Sequence, residues 1–212
     1  MKKEIMSKPT TVGYNPSGLN QPEFIPASRA EMDRLDWTEL DILLIQGDAH
    51  IDHPAQGPVL LGRWLIAHGF RVGLISQPRW QDPAEAAADL QLMGWPRLFA
   101  ALSAGSMDSM LAHYTAFRKK RSDDALPPGG RCGARPNRAT LVYTGLTRAA
   151  FPGLPVFIGG LEASLRRLSH YDFWQDKLRR SVLLESKADL LIYGPGERPL
   201  LEAARLLASG AG

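Results

Sequence analysis

The chain has 212 residues, 44% of them hydrophobic and 22% charged, with a formal net charge of +3, which fits one α/β-sized domain or two small ones. The small net charge excludes nucleic-acid binding through overall basicity alone, and the single cysteine excludes internal disulfides and a cysteine-ligated zinc or iron–sulfur site built by this chain alone. No apolar run approaches the ~18 residues that span a bilayer and the N-terminus has no apolar signal segment, so we expect a cytoplasmic protein with no membrane partner.

The first half of the chain alternates between strand and helix patterns. Residues 1–23 are rich in proline and glycine, which predicts a flexible arm. Ser28 and Glu31 form a capping-box pattern that predicts the start of a helix. The elements predicted after it are a strand over 41–47, a helix over 59–68, a strand over 71–76, a helix over 84–92 and a strand over 98–102.

Two insertions interrupt the alternation in the second half. Residues 105–138 are basic and then rich in proline and glycine, and residues 161–187 are expected to be largely helical. The other predicted elements are a helix over 139–150, a strand over 156–159, a strand over 188–193 and a helix over 198–209. The order predicts an α/β domain over 24–212, with a mainly parallel sheet of about five strands covered by helices.

Polar residues follow three of the predicted strands directly. Because the carboxyl ends of parallel strands share one edge of a sheet, we expect these residues to face a ligand or a neighbouring domain there. The candidate residues are Asp48, Asp52, His53, Gly159, Gly160, Glu162 and Glu197. Plain alternatives stay open, because Asp48 can cap backbone amides and the two glycines can simply permit a turn.

Other site types have little support in the sequence. The segment from Asp48 to His53 contains two carboxylates and two imidazoles, but its spacing fixes no metal geometry, so no metal site is predicted. No phosphate-loop motif and no nucleophile motif is present, and we assign no catalytic residue. The basic residues of 118–138 could bind RNA, although few aromatic residues accompany them; nucleic acid is therefore a disfavoured partner.

Several segments together resemble the N-terminal region of the YgiQ-type radical SAM proteins. The similar segments are Gly47–Ala49 with Asp52–Pro54, Ser106–Met110, His113–Ala116, Arg135–Pro136 with Arg138–Tyr143, Gly159–Arg167, His170–Trp174, and Ser186–Asp189 leading to Gly194–Glu197. The resemblance extends over most of residues 24–209. It implies a domain similar to cobalamin-binding Rossmann-like domains, placed before a radical SAM barrel.

In that family the barrel, through a Cys-x-x-x-Cys-x-x-Cys motif, holds the [4Fe–4S] cluster that cleaves S-adenosylmethionine. The only cysteine here, Cys132, lies outside such a motif, so the resemblance implies a fragment that binds no cofactor alone and has no turnover alone. Its implied role is to shape or cover the barrel's active site. Cobalamin is disfavoured, because the pattern Asp-x-His-x-x-Gly that begins at Asp48 would need glycine where His53 stands. A stand-alone module that binds a small ligand or RNA is the alternative.

Overall fold

The structure is a computed structural model that describes residues 22–49 and 56–210. Its main sheet consists of β1 (Ile42–Gln46), β2 (Val72–Ser76), β3 (Phe99–Ser103), β4 (Val156–Gly159) and β7 (Leu190–Leu191). All pairings in this sheet are parallel, and the spatial order is β2-β1-β3-β4-β7. The predicted Rossmann-like α/β fold with a five-stranded parallel sheet is confirmed.

The described helices are α1 (Arg29–Asp33), α2 (Gly57–Ala67), α3 (Pro83–Leu90), α4 (Ser109–His113), α5 (Ala139–Ala150), α6 (Gly160–Leu165), α7 (Val182–Ser186) and α8 (Glu197–Ala208). Helices α2 and α8 pack together over one face of the sheet, whereas α5 packs with α3 and α7 over the other. All five residues of β1 are buried, as expected for a strand covered on both faces.

The carboxylate of Asp41 connects the starts of three strands. Asp41 precedes β1 and accepts hydrogen bonds from the Arg71 backbone amide at 2.8 Å and from the Arg97 guanidinium at 2.9 Å. Its side chain is only 6% exposed. Burial raises the pKa of Asp41, but hydrogen bonds from Arg71 and Arg97 outweigh burial and hold the pKa below its ordinary value of 3.8. Asp41 therefore joins the starts of β1, β2 and β3 as an ionised group.

This arrangement predicts a pH-dependent loss of stability in the variant Asp41→Asn. A carboxylate with a lowered folded-state pKa stabilises the fold above its unfolded pKa and loses that contribution as the pH falls through the folded pKa. The difference in unfolding free energy between wild type and Asp41→Asn should be constant above about pH 5 and shrink below about pH 4. Urea titrations from pH 3 to 7 measure it, and a difference that grows towards acid would contradict the assignment.

The second insertion differs from the sequence prediction. Residues 161–187 were expected to be largely helical, but they include an antiparallel hairpin of β5 (His170–Asp172) and β6 (Lys177–Arg179) between α6 and α7. The Asp172 carboxylate accepts hydrogen bonds from the backbone amides of Trp174 and Gln175, which fixes the turn. Of the predicted arm 1–23, residues 1–21 lie outside the described residues, and Ile25, just after it, is buried in the core.

Candidate functional site

The carboxyl ends of the central strands form one edge of the sheet. Gln46, Ser103 and Gly159 are register partners at the ends of β1, β3 and β4. The chain proceeds from β1 to β2 on one side and then to β3 on the other, so the strand order reverses between β1 and β3. Ligands of open α/β sheets bind outside the carboxyl ends of the strands at such a reversal. This edge therefore lies where ligands bind in open α/β sheets.

Asp48 lies at this edge, but its carboxylate is turned into the protein. The residue is 2% exposed, and it accepts hydrogen bonds from the Ser106 amide at 2.6 Å, the Ser106 hydroxyl at 2.8 Å and the Arg135 guanidinium at 2.7 Å. Gly105 adopts φ +116°, and a Cβ there would collide with the Asp48 carboxylate. Asp48 therefore fixes the first insertion against the end of β1.

Arg135 is the largest fully buried side chain among the described residues. Besides Asp48, its guanidinium contacts the Asp124 carboxylate at 3.3 Å, and both carboxylate side chains are at most 4% exposed. A buried arginine is tolerated when opposite charges and hydrogen bonds replace its water. Asp48 thus joins both ends of the 105–138 insertion, through Ser106 and Arg135, to the sheet edge, and Asp124 joins the middle of the insertion to Arg135.

Glu162 has a similar role on α6. It is 1% exposed, and its carboxylate accepts hydrogen bonds from the Ser109 amide at 2.8 Å, the Ser109 hydroxyl at 2.6 Å and the Thr140 amide at 2.9 Å. These donors belong to the first turns of α4 and α5, where backbone amides have no partner within the helix. Glu162 therefore joins three helices at one point.

Two further ion pairs attach the second insertion. The Arg166 guanidinium donates a hydrogen bond to Asp108, the N-cap residue of α4. The Arg138 guanidinium donates to the hairpin residue Asp172 at 2.7 Å and 3.0 Å. Burial raises the pKa of Asp172, but the hydrogen bonds from Arg138 outweigh it and lower the pKa from its ordinary value. Both insertions are therefore held by buried charged groups.

We call these groups the edge network. Its members are Asp48, Asp108, Asp124, Arg135, Arg138, Glu162, Arg166 and Asp172. The oxygen atoms of Asp48 and Glu162 are already occupied by donors of the protein. The network consequently fixes the shape of the edge and leaves these two carboxylates with little capacity for an outside ligand.

Two adjoining cavities lie at the same edge. The larger, about 210 Å³, is bounded by α2, α8 and the ends of β3 and β4 and has a mainly apolar lining. The smaller, about 190 Å³, has a more polar lining that includes Gln46, Gln56 and Ser106. Gly57, Pro58, Ser103 and Gly160 line both cavities. These cavities, and not the edge network, are the open part of the site.

The predicted site residues therefore do not share one environment. Gly159, Gly160 and Glu197 line the larger cavity, and Asp48 borders the smaller one. Gly160 begins α6 at φ +79°, so it both makes the turn and borders the cavity. Glu162 lines neither cavity. Asp52 and His53 lie outside the described residues.

The sequence prediction missed Arg135, Asp108 and Asp124 as edge residues. A signal was present for Arg135, which lies in one of the segments that resemble the YgiQ-type proteins, but its burial among the many arginines of the first insertion has no local sequence pattern. It also missed Gln56, whose side-chain amide donates to the Ala49 carbonyl at 3.0 Å while its oxygen is buried without a partner. A signal was present for Gln56, since it directly precedes the proline-containing start of α2.

Within residues 22–49 and 56–210, no group of three or more His, Cys, Asp or Glu side chains could hold a metal ion. None of the helices described by the structure has the length and apolar character needed to span a bilayer.

Comparison with known proteins identifies relatives that are much longer. The chain is 57% identical over 187 residues to a UPF0313 protein of Geobacter sulfurreducens, covering 88% of this chain and 30% of that protein. It is 53% identical to a UPF0313 protein of Thermotoga maritima, covering 87% of this chain and 32% of the relative. For a UPF0313 protein of Pseudomonas aeruginosa the identity is 52%, and the shares are 88% and 24%. The chain therefore spans a third or less of the length of these relatives.

A solved structure shares the fold. The radical S-adenosylmethionine methyltransferase TsrM from Kitasatospora setae, solved with tryptophan substrate and a SAM analogue, has a TM-score of 0.53 and 18% identity to this chain. The match covers 81% of this chain and 26% of the TsrM chain. At this identity the likeness concerns the fold alone. A family model described as Radical SAM N-terminal matches residues 24–212, and the chain therefore belongs to the Radical SAM N-terminal family.

Proposed function

We propose that this chain is the N-terminal accessory domain of a radical SAM iron–sulfur enzyme and that it covers the active site formed by the remainder of the longer protein. The observation that carries the proposal is a surface with exposed apolar side chains in the segment 161–178, which directly follows β4. This surface, called here the hairpin surface, consists of Leu161, Leu165, Leu168, Tyr171 and Leu178 on α6, the loop after it and the hairpin. These residues are 46%, 57%, 67%, 55% and 81% exposed.

The hairpin surface has the properties of an interface. Exposed apolar residues gathered on neighbouring elements mark sites of interaction, because leaving them in water is unfavourable. The surface is also rigid at its base, since Glu162 holds α6 and the Arg138–Asp172 pair holds the hairpin. The occupant we propose is the part of the UPF0313 proteins that lies outside the match, which amounts to well over half of each relative.

The iron–sulfur chemistry belongs to that remaining part in this proposal. A [4Fe–4S] cluster is held by cysteine thiolates, and this chain contains one cysteine, Cys132. The residues of this chain therefore do not fit the cluster. The chain's own contribution is to position the edge loops and to exclude water from the covered site. We expect no cleavage of S-adenosylmethionine by this chain alone.

Substitutions on the hairpin surface test the proposal. The remainder of the Geobacter relative would be produced separately, and its affinity for this chain measured by isothermal titration calorimetry. Leu165→Asp and Leu178→Asp should each weaken binding at least tenfold, because each places a charge in an apolar contact. Leu92→Asp is the matched control, since Leu92 is 52% exposed but follows α3. Equal affinities for the three variants, or no binding by wild type, would contradict the proposal.

The alternative of a stand-alone RNA-binding module receives less support from the structure. It relied on the basic residues of 118–138, and several of these have partners within the protein. Arg135 and Arg138 form ion pairs, and the Arg118 guanidinium lies 4.5 Å from the centre of the Phe173 ring. Salt-sensitive binding of single-stranded RNA by the isolated chain would favour this alternative.

A further inference from the structure

The larger cavity lies over a gap in the covering of the central strand. Ala101 in the middle of β3 is half-buried, although its neighbours Ala100 and Leu102 are 0% and 3% exposed. Its register partners Leu44 and Phe157, which border the same cavity, are well buried. Parallel sheets are normally covered on both faces. The small side chain of Ala101 therefore leaves unfilled a space between α2 and α8 that a larger residue would close.

The backbone around this space is also open. Gly159 and Gly160 border it from the end of β4, and Gly194 and Gly196 border it from the turn before α8. Nothing lies within 4 Å of a Cβ placed on Gly194, which adopts φ +71°. Glycine backbone at a strand end permits close approach by a flat group. The walls are supplied by aliphatic side chains, among them Leu61, Ile192 and Leu200.

The charges around the two cavities select against anions. Glu197 lines the larger cavity and Asp48 borders the smaller one, and no lysine, arginine or histidine of the described residues lines either. The charge of Asp48 is compensated by Arg135, but a phosphate or carboxylate group in the larger cavity would meet the Glu197 carboxylate without a cationic side chain among the described lining residues. The charge distribution therefore favours an uncharged ligand and disfavours nucleotides.

One polar atom of the smaller cavity lacks a partner. Gln56 is 7% exposed, and its side-chain oxygen forms no hydrogen bond with any described residue. A buried acceptor without a donor is unfavourable, so native structures retain few of them. Gln56 borders the smaller cavity next to Gly57 and Pro58, which both cavities share. A ligand in the larger cavity can therefore extend a donor towards Gln56.

We propose that the two cavities form a binding site for an uncharged aromatic compound of one or two rings that carries an N–H donor. The rings occupy the space over Ala101 between α2 and α8, and the N–H donates to the side-chain oxygen of Gln56. The combined size of the cavities falls within the ~300–1,000 Å³ of small-molecule sites. The proposal is independent of the proposed function, because it concerns this chain alone.

Binding of indole to the 212-residue chain tests the proposal. We expect the amide NMR signals of Ala101, Ser103 and Gly160 to shift on titration with indole, and 1-methylindole, which has no N–H donor, to bind about tenfold more weakly. Inorganic phosphate should produce no shifts at these positions. Shifts confined to other residues, or binding of phosphate in place of indole, would overturn the proposal.

Substitutions distinguish binding in the cavity from binding elsewhere on the surface. Ala101→Leu fills the space over β3 and should weaken indole binding at least tenfold, whereas Ala149→Leu makes the same change at an exposed position on α5 and should leave it unchanged. Gln56→Leu should remove the preference for indole over 1-methylindole. If Ala101→Leu does not fold, Ala101→Val makes a smaller change with the same expected direction. Unaltered indole affinity in a folded Ala101 variant would overturn the proposal.

Discussion

Replacing Arg135 with methionine is expected to lower the free energy of unfolding by about 3–5 kcal/mol. The substitution keeps an unbranched apolar side chain, shorter than that of arginine, and removes the guanidinium between Asp48 and Asp124. Both carboxylates would then be buried without their cation, and removing one partner of a buried ion pair costs more than the pair itself contributes. Urea unfolding followed by circular dichroism measures the change.

The control for Arg135→Met is Arg131→Met in the same insertion. Arg131 is exposed, so its replacement should change the unfolding free energy by less than about 0.5 kcal/mol. Hydrogen exchange adds a local readout, because the amides of Ser106 and the residues near Asp124 should lose protection in Arg135→Met. A loss below about 1 kcal/mol would contradict the assigned role of Arg135.

Replacing Glu162 with glutamine is expected to cost on the order of 2–4 kcal/mol of unfolding free energy, although the side chain keeps its size. The two oxygens of Glu162 accept from Thr140 on one side and from Ser109 on the other. In either orientation the glutamine NH2 group would face a backbone N–H, and at least one donor would lose its acceptor. Thermal and urea unfolding of the purified variant measure the loss.

The result for Glu162→Gln distinguishes an edge-fixing role from a ligand-binding one. Glu202→Gln, at an exposed position on α8, is the matched control and should be neutral within about 0.5 kcal/mol. If Glu162 instead served mainly to contact an outside ligand, Glu162→Gln would leave stability unchanged. A neutral result would therefore favour the ligand-facing role that was predicted for Glu162 from its position in the sequence.

The strands and helices of the sheet could be predicted well because their signals are local. The helix predicted over 139–150 coincides with α5, and the strand predicted over 156–159 coincides with β4. Burial on both faces makes a strand such as Ile42–Gln46 uniformly apolar, and the turn residues after it mark its end. The hairpin within 161–187 was not predicted, because its strands have three residues each and the turn depends on hydrogen bonds to one aspartate, Asp172.

The sequence by itself determined the fold class, the location of an edge where polar residues gather, and a resemblance to radical SAM N-terminal regions. Only the tertiary structure decided which of these polar residues are available to a ligand. Asp48 and Arg135 are 87 residues apart in the chain, and no local pattern shows that they meet. The ion pair with Arg135 buries Asp48, and hydrogen bonds from Ser109 and Thr140 bury Glu162, so both carboxylates act as fixing points within the protein. The open part of the edge is a cavity, which exists because Ala101 is small and the nearby glycines have no side chains. The cavity lies between elements that are distant in sequence, so no local sequence pattern predicts it.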